Sequence, residues 1–145
     1  MKNLSAGSVL MSLMKRTILY IILLLPLVIG CTKHEDLTDP SGAGARHAAE
    51  YFYDLLGRGS AAEYVDNMHE ACAMDSSKRA QFVDLMEQFL YEERQSSGGI
   101  LGAKATRDTM ADSVAMIFMD VQFADSTCEE IMLPLVYSGG RWWIR

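Results

Sequence analysis

The apolar residues of this chain change period once, at Ser96-Ser97-Gly98-Gly99, and that single change limits the folds open to it. Before it they recur at helical spacing, and after it they alternate. Helices first and strands last argue against an alternating α/β architecture. They predict an α+β domain in which three N-terminal helices pack on a four-stranded antiparallel meander.

In the helical half, Ala48, Tyr51, Phe52 and Leu55 form one stripe of a first helix beginning at Ala45, which Gly57 and Gly59 stop. Ser60-Ala61-Ala62-Glu63 has the spacing of a capping box, so a second helix is expected from Ser60 to about Ala73. Ser76 or Ser77 can cap a third, with Phe82, Leu85, Met86, Phe89 and Leu90 as its core face. Beyond Gly99 the expected strands are Ile100 to Arg107, Ser113 to Phe123, Cys128 to Tyr137 and Arg141 to Arg145, joined by hairpin turns. Pro134 cannot donate to a ladder and is expected at an edge or bulge of the third strand. In the second strand Ala115, Ile117, Met119, Val121 and Phe123 should meet the helices, together with Leu133 and Leu135 of the third. The other face, with Val114, Met116 and Phe118 beside Asp120 and Gln122, needs a cover.

The first residues carry an address. Lys15 and Arg16 precede the apolar run Ile18 to Ile29, which at 12 residues is too short to span a bilayer but suits a secretory leader. It ends in Val28-Ile29-Gly30-Cys31, a small residue before a cysteine, as lipoprotein signal peptidase requires. Cleavage between Gly30 and Cys31 would leave Cys31 as a lipid-bearing N-terminus in the bacterial envelope. The division expected is a leader over 1–30, a lipidated cysteine and flexible tether over 31–44, and one domain over 45–145. Lys2, Lys15 and Arg16 depart with the leader while all 19 acidic residues stay, so the mature protein is more acidic than the −6 of the whole chain. That charge repels nucleic acid and anionic headgroups, leaving acyl chains to hold the membrane. Lys33 followed by Glu35 and Asp36 resembles the surface-export signal of Bacteroidota lipoproteins; an ordinary solvated tether would read the same.

Three helices, Gly98-Gly99 opening a meander, and a closing Gly139-Gly140-Arg141-Trp142-Trp143-Ile144 resemble the Bacteroidota lipoprotein family of domain of unknown function 4878. The similarity covers roughly residues 43 to 145. It implies the nuclear transport factor 2-like cone, a curved sheet wrapped around helices to enclose a cavity. It brings no agreed activity and no catalytic residues.

The chemistry-bearing residues are few. Cys72 and Cys128 remain once Cys31 is lipidated; they could form a disulfide or stay as two buried free thiols. Asp66, His69 and Cys72 recur at three-residue spacing but lack a fourth ligand, and no metal or cofactor is expected. Met86, Met116, Met119 and Met132 read as core filling rather than a copper site. Trp142 and Trp143 point to opposite faces of the last strand, one closing the core, the other meeting solvent, a pocket or a partner. Met116, Phe118 and Trp143 are therefore the candidates for a ligand or dimer face. The expected role is a lipid-anchored binding module, probing a small hydrophobic ligand, a peptide, a second copy or an envelope partner. The alternatives are an isomerase or dehydratase of the cone class using Asp120 or His69, and a structural subunit of an envelope complex.

Overall fold

A computed structural model describes residues 36–145. The leader, the cleavage point at Gly30 and Cys31, and the first tether residues lie outside the described residues.

Helix α1 spans Gly42–Gly57 and starts three residues earlier than its apolar stripe implies, because Ser41 caps it. The Ser41 hydroxyl donates to the Asp39 carboxylate at 2.8 Å and accepts from the Gly44 N–H at 3.2 Å. The buried face of α1 carries Ala45, Ala48 and Ala49 before Phe52, Leu55 and Leu56, and those small side chains let the helix axis lie close over the sheet. Residues expected in the tether are bound. Leu37 packs against the core, its carbonyl accepts from the Trp142 N–H at 2.9 Å, and the Asp39 carbonyl accepts from the Trp142 indole at 2.7 Å. Gly44 permits this strap: a Cβ there would lie 2.1 Å from the Asp39 carbonyl oxygen.

Helix α2 is shorter than the spacing predicts, Ala61–Asp66, and is followed by a separate 3-10 turn at His69–Ala73. The capping box does not form: the Ser60 side chain makes no cap bond, and Glu63 instead accepts from the Tyr51 hydroxyl at 3.0 Å. The helix breaks because Asn67 and Met68 are drawn to the sheet. The Asn67 carbonyl accepts from the Ile144 N–H at 2.9 Å, its amide donates to the Glu63 carbonyl at 2.9 Å, and Met68 bridges to Ile144. Backbone pairing with the last strand outweighs continuation of a helix that was weakly nucleated.

Helix α3, Ser76–Ser97, is capped by Asp75, one residue before the expected serines, its carboxylate accepting from the Lys78 N–H at 2.8 Å. It ends at Gly98, whose φ of 79° is the left-handed cap. There the chain docks on the turn after β2, with the Asp125 N–H donating to the Ser97 carbonyl at 2.9 Å and the Ala124 N–H to the Gly99 carbonyl at 3.0 Å. The core face expected for this helix is corrected. Leu90 is buried and Met86 half-buried, but Leu85 is 63% and Phe89 40% exposed. α1 already covers the sheet, so α3 packs mainly on α2 and meets the sheet chiefly at β1.

The strands β1 (Ile100–Ala111), β2 (Val114–Phe123), β3 (Cys128–Ser138) and β4 (Arg141–Ile144) form one sheet in that order, all neighbours antiparallel. β1 runs four residues beyond its expected end, and two register shifts bend it along the edge. Pro134 lies at the end of the β3–β4 ladder, where its carbonyl accepts from the Arg145 N–H at 3.0 Å. On the helix side Ala115, Ile117, Met119, Leu135 and Trp142 have no exposure at all, and Val121, Phe123 and Leu133 are buried with them.

Candidate binding face

The pleat of β2 sends Met116 and Phe118 away from the helices, and register decides what they meet. Phe118 stands opposite Met132 of β3 and Arg107 of β1, and Met116 opposite Pro134 and Thr109. One step further, Val114 faces Val136, which faces Trp143 of β4. Met116, Phe118 and Trp143 therefore share the outer face of the sheet, joined by an apolar strip through Pro134 and Val136. Met132 is 50% exposed, and the three named residues are half-buried. Toward the opposite end the face turns polar, with Lys104, Asp120 and Glu130 in one row and Gly102, Gln122 and Cys128 in the next.

Two guanidinium groups sit on this strip. Arg107 stacks 3.9 Å from the Phe118 ring centroid and pairs with Glu130 at 2.9 Å. Arg141 stacks 4.2 Å from the Trp143 ring and hydrogen-bonds the neutral Asn67 side chain. Each guanidinium covers one face of its ring. The Trp143 indole donates to the Ser138 carbonyl at 2.9 Å, and His69 meets the ring edge-on at 6.5 Å. Beside it opens a recess of about 310 Å³ lined by His69, Cys72, Ala73, Ser138, Gly139 and Trp143. Trp142, on the opposite side of the same strand, is fully buried.

The helix-facing interior, where the cone reading expected a cavity, carries the buried side chains of Phe52, Leu55, Ile117, Met119, Leu135 and Trp142. Among the described residues it also holds the buried Tyr64 and the half-buried Tyr53. Burial pushes the Tyr64 hydroxyl far above its ordinary range, and burial followed by the nearby Glu93 raises Tyr53. Asp120 lies on the outer face in a recess with Lys104, Gly102, Ala103 and Gln122, and His69 is exposed. The Asp66, His69 and Cys72 set is split. Arg79 binds Asp66 through two bonds of 2.6 and 2.7 Å and holds its carboxyl below the usual range, while His69 and Cys72 turn to the Trp143 recess. Among the described residues no three histidine, cysteine or acidic side chains gather for a metal.

Cys72 and Cys128 are free, and both are exposed rather than buried. Cys72 shares the recess with Ser138, at one end of β3, and Cys128 begins that strand at the other. A strand of 11 residues spans roughly 30 Å, far beyond the ~7 Å between Cα atoms that a disulfide tolerates. Residues that sequence reasoning missed are Arg107, Arg141 and Met132. Arg107 falls opposite Phe118 by counting back from the turn at Asp112-Ser113 with no register shift between, but the sequence reading ended β1 at Arg107 and so did not reach that turn.

No family model matches the chain, and no curated protein matches it. Among solved structures, a protein from Campylobacter jejuni described as an NTF2-like transpeptidase superposes with a TM-score of 0.57. The match covers 72% of this chain and 97% of that one at 17% identity. The fold is NTF2-like. At that identity the likeness extends to the order and packing of the elements.

Proposed function

We propose that this is a lipid-anchored protein of the bacterial envelope, held at the outer membrane through Cys31, whose NTF2-like domain binds a partner or apolar ligand on the outer face of its sheet and does no chemistry. The observation that carries the reading is the convergence of Met116, Phe118, Met132 and Trp143 on one face while the side chains of the opposite face are buried under the helices. An apolar strip between two stacked guanidiniums suits a peptide or amphiphile with carboxylate groups. The leader and Gly30-Cys31 support the anchor, and the likeness of the closing Gly-Trp segment to the Bacteroidota lipoproteins of domain of unknown function 4878 supports the same address. Leu37 is fixed to the domain only six residues after Cys31, so at most about 20 Å of chain would join lipid to fold. Such a module works close to the bilayer.

The test is native mass spectrometry of the full protein released gently from its own envelope, beside a Phe118→Glu variant. A bound mass on the wild type that Phe118→Glu loses is expected; a bound mass retained by the variant removes the outer face as the site. Growth with an alkyne-tagged fatty acid tests the anchor separately, since label should join the wild type and not Cys31→Ser.

A further inference from the structure

Helix α3 carries a second apolar stripe that the fold leaves largely uncovered at Leu85 and Phe89. Its inward side, Val83, Met86 and Leu90, packs toward the core. About a quarter-turn away lie Phe82, Leu85 and Phe89, with Leu85 63% and Phe89 40% exposed. This stripe continues at spacings of four and three into Lys78 before it and Glu92 after it. Lys78 and Glu92 each stand seven residues from Leu85, about 10.5 Å along the axis on either side. The stripe thus has a cation at one end, an anion at the other and apolar side chains between.

We infer that α3 is a self-association surface on which a second copy of this chain packs antiparallel about a two-fold axis at Leu85. That arrangement sets Lys78 against Glu92 of the second copy, twice by symmetry, and interdigitates Phe82 with Phe89 across the axis. Lys78 already leans over the Phe82 ring at 5.9 Å, and Glu92 is held in place by Gln88 at 2.9 Å, so both charges are disposed along the stripe. Antiparallel pairing also opposes the two helix dipoles favourably. The sheet face is the poorer site for a second copy, because its aromatic rings are capped by Arg107 and Arg141 rather than by opposite charges placed symmetrically.

Sedimentation equilibrium of the full chain in density-matched detergent tests this. The wild type is expected to dimerise, and Leu85→Glu to weaken the dimer roughly thirty-fold or more. Lys78→Glu and Glu92→Lys should each weaken it about ten-fold by placing like charges together, and the two in one chain should restore it. Because these positions are exposed, circular dichroism should be unchanged in all four. A wild type that stays monomeric, a Leu85→Glu that dimerises like wild type, or charge reversals that do not rescue each other overturns the inference. So does a dimer lost in Phe118→Glu but kept in Leu85→Glu, which would put the interface on the sheet.

Discussion

Replacing Trp142 with phenylalanine tests how firmly the segment before α1 belongs to the domain. Trp142 is fully buried, packs edge-on to Tyr137 at 5.2 Å, and donates its indole N–H to the Asp39 carbonyl at 2.7 Å. Phenylalanine keeps most of the ring and the neighbouring backbone bond to Leu37, but orphans the Asp39 carbonyl and leaves a small void. The lost bond costs about 1–2 kcal/mol, and the missing atoms add about 1 kcal/mol at the usual cavity cost. A total of about 2–3 kcal/mol is a large share of a stability of order 5–15 kcal/mol. With a urea dependence of about 2 kcal/mol per molar, the midpoint should fall by roughly 1–1.5 M. The Asp39 carbonyl also rests on Gly44, so Gly44→Ala should weaken the same strap. The double variant should then cost less than the sum of the singles, because either change alone dislodges the segment. An unchanged midpoint for Trp142→Phe, or additive losses, would refute the claim that residues 37–41 are pinned by β4.

Two further outcomes follow from local geometry. Gly98→Ala should cost about 2 kcal/mol in urea unfolding, since φ is 79° and its new Cβ would lie 2.8 Å from the Ala124 Cβ, whereas Gly102→Ala, with open space and ordinary φ, should be near neutral; equal effects would refute the tight closure of α3 on the β2–β3 turn. Tyr64 is held neutral by burial, so above about pH 10 the unfolded chain ionises it while the folded chain does not, and stability should fall as pH rises from there. Tyr64→Phe should flatten that alkaline decline when unfolding is followed at several pH values, and an unchanged slope would place the hydroxyl in solvent.

What the sequence made legible depended on whether a local pattern was decided locally. Alternation in Val114–Phe123 placed Ile117, Met119 and Val121 inside and Met116 and Phe118 outside, because a strand with one buried face has only one register that satisfies it. The Gly98-Gly99 break held for the same reason: a left-handed cap is a property of its own residue. The helices were less readable. The stripe on α3 is wider than any one neighbour covers, so periodicity could not say which flank α2 would leave exposed. Ser60 and Glu63 have capping spacing, yet Tyr51 claims the glutamate, and the sheet claims Asn67 and Met68, both through contacts distant in sequence. The tether was misjudged at Leu37 to Ser41 because its anchor, Trp142, comes a hundred residues later. Met116, Phe118 and Trp143 were each visible as outward-facing, but their shared strip and its guanidinium caps depend on three registers at once.

Site-specific photo-crosslinking in intact cells tests the outer face most directly. A benzophenone amino acid placed at Phe118 or Trp143 should capture a discrete partner or ligand, while the same group at Asp54, on the exposed side of α1, should not. Adducts at both sheet positions and not at Asp54 are the result the account predicts. Equal capture at all three, or none at the sheet, would contradict it.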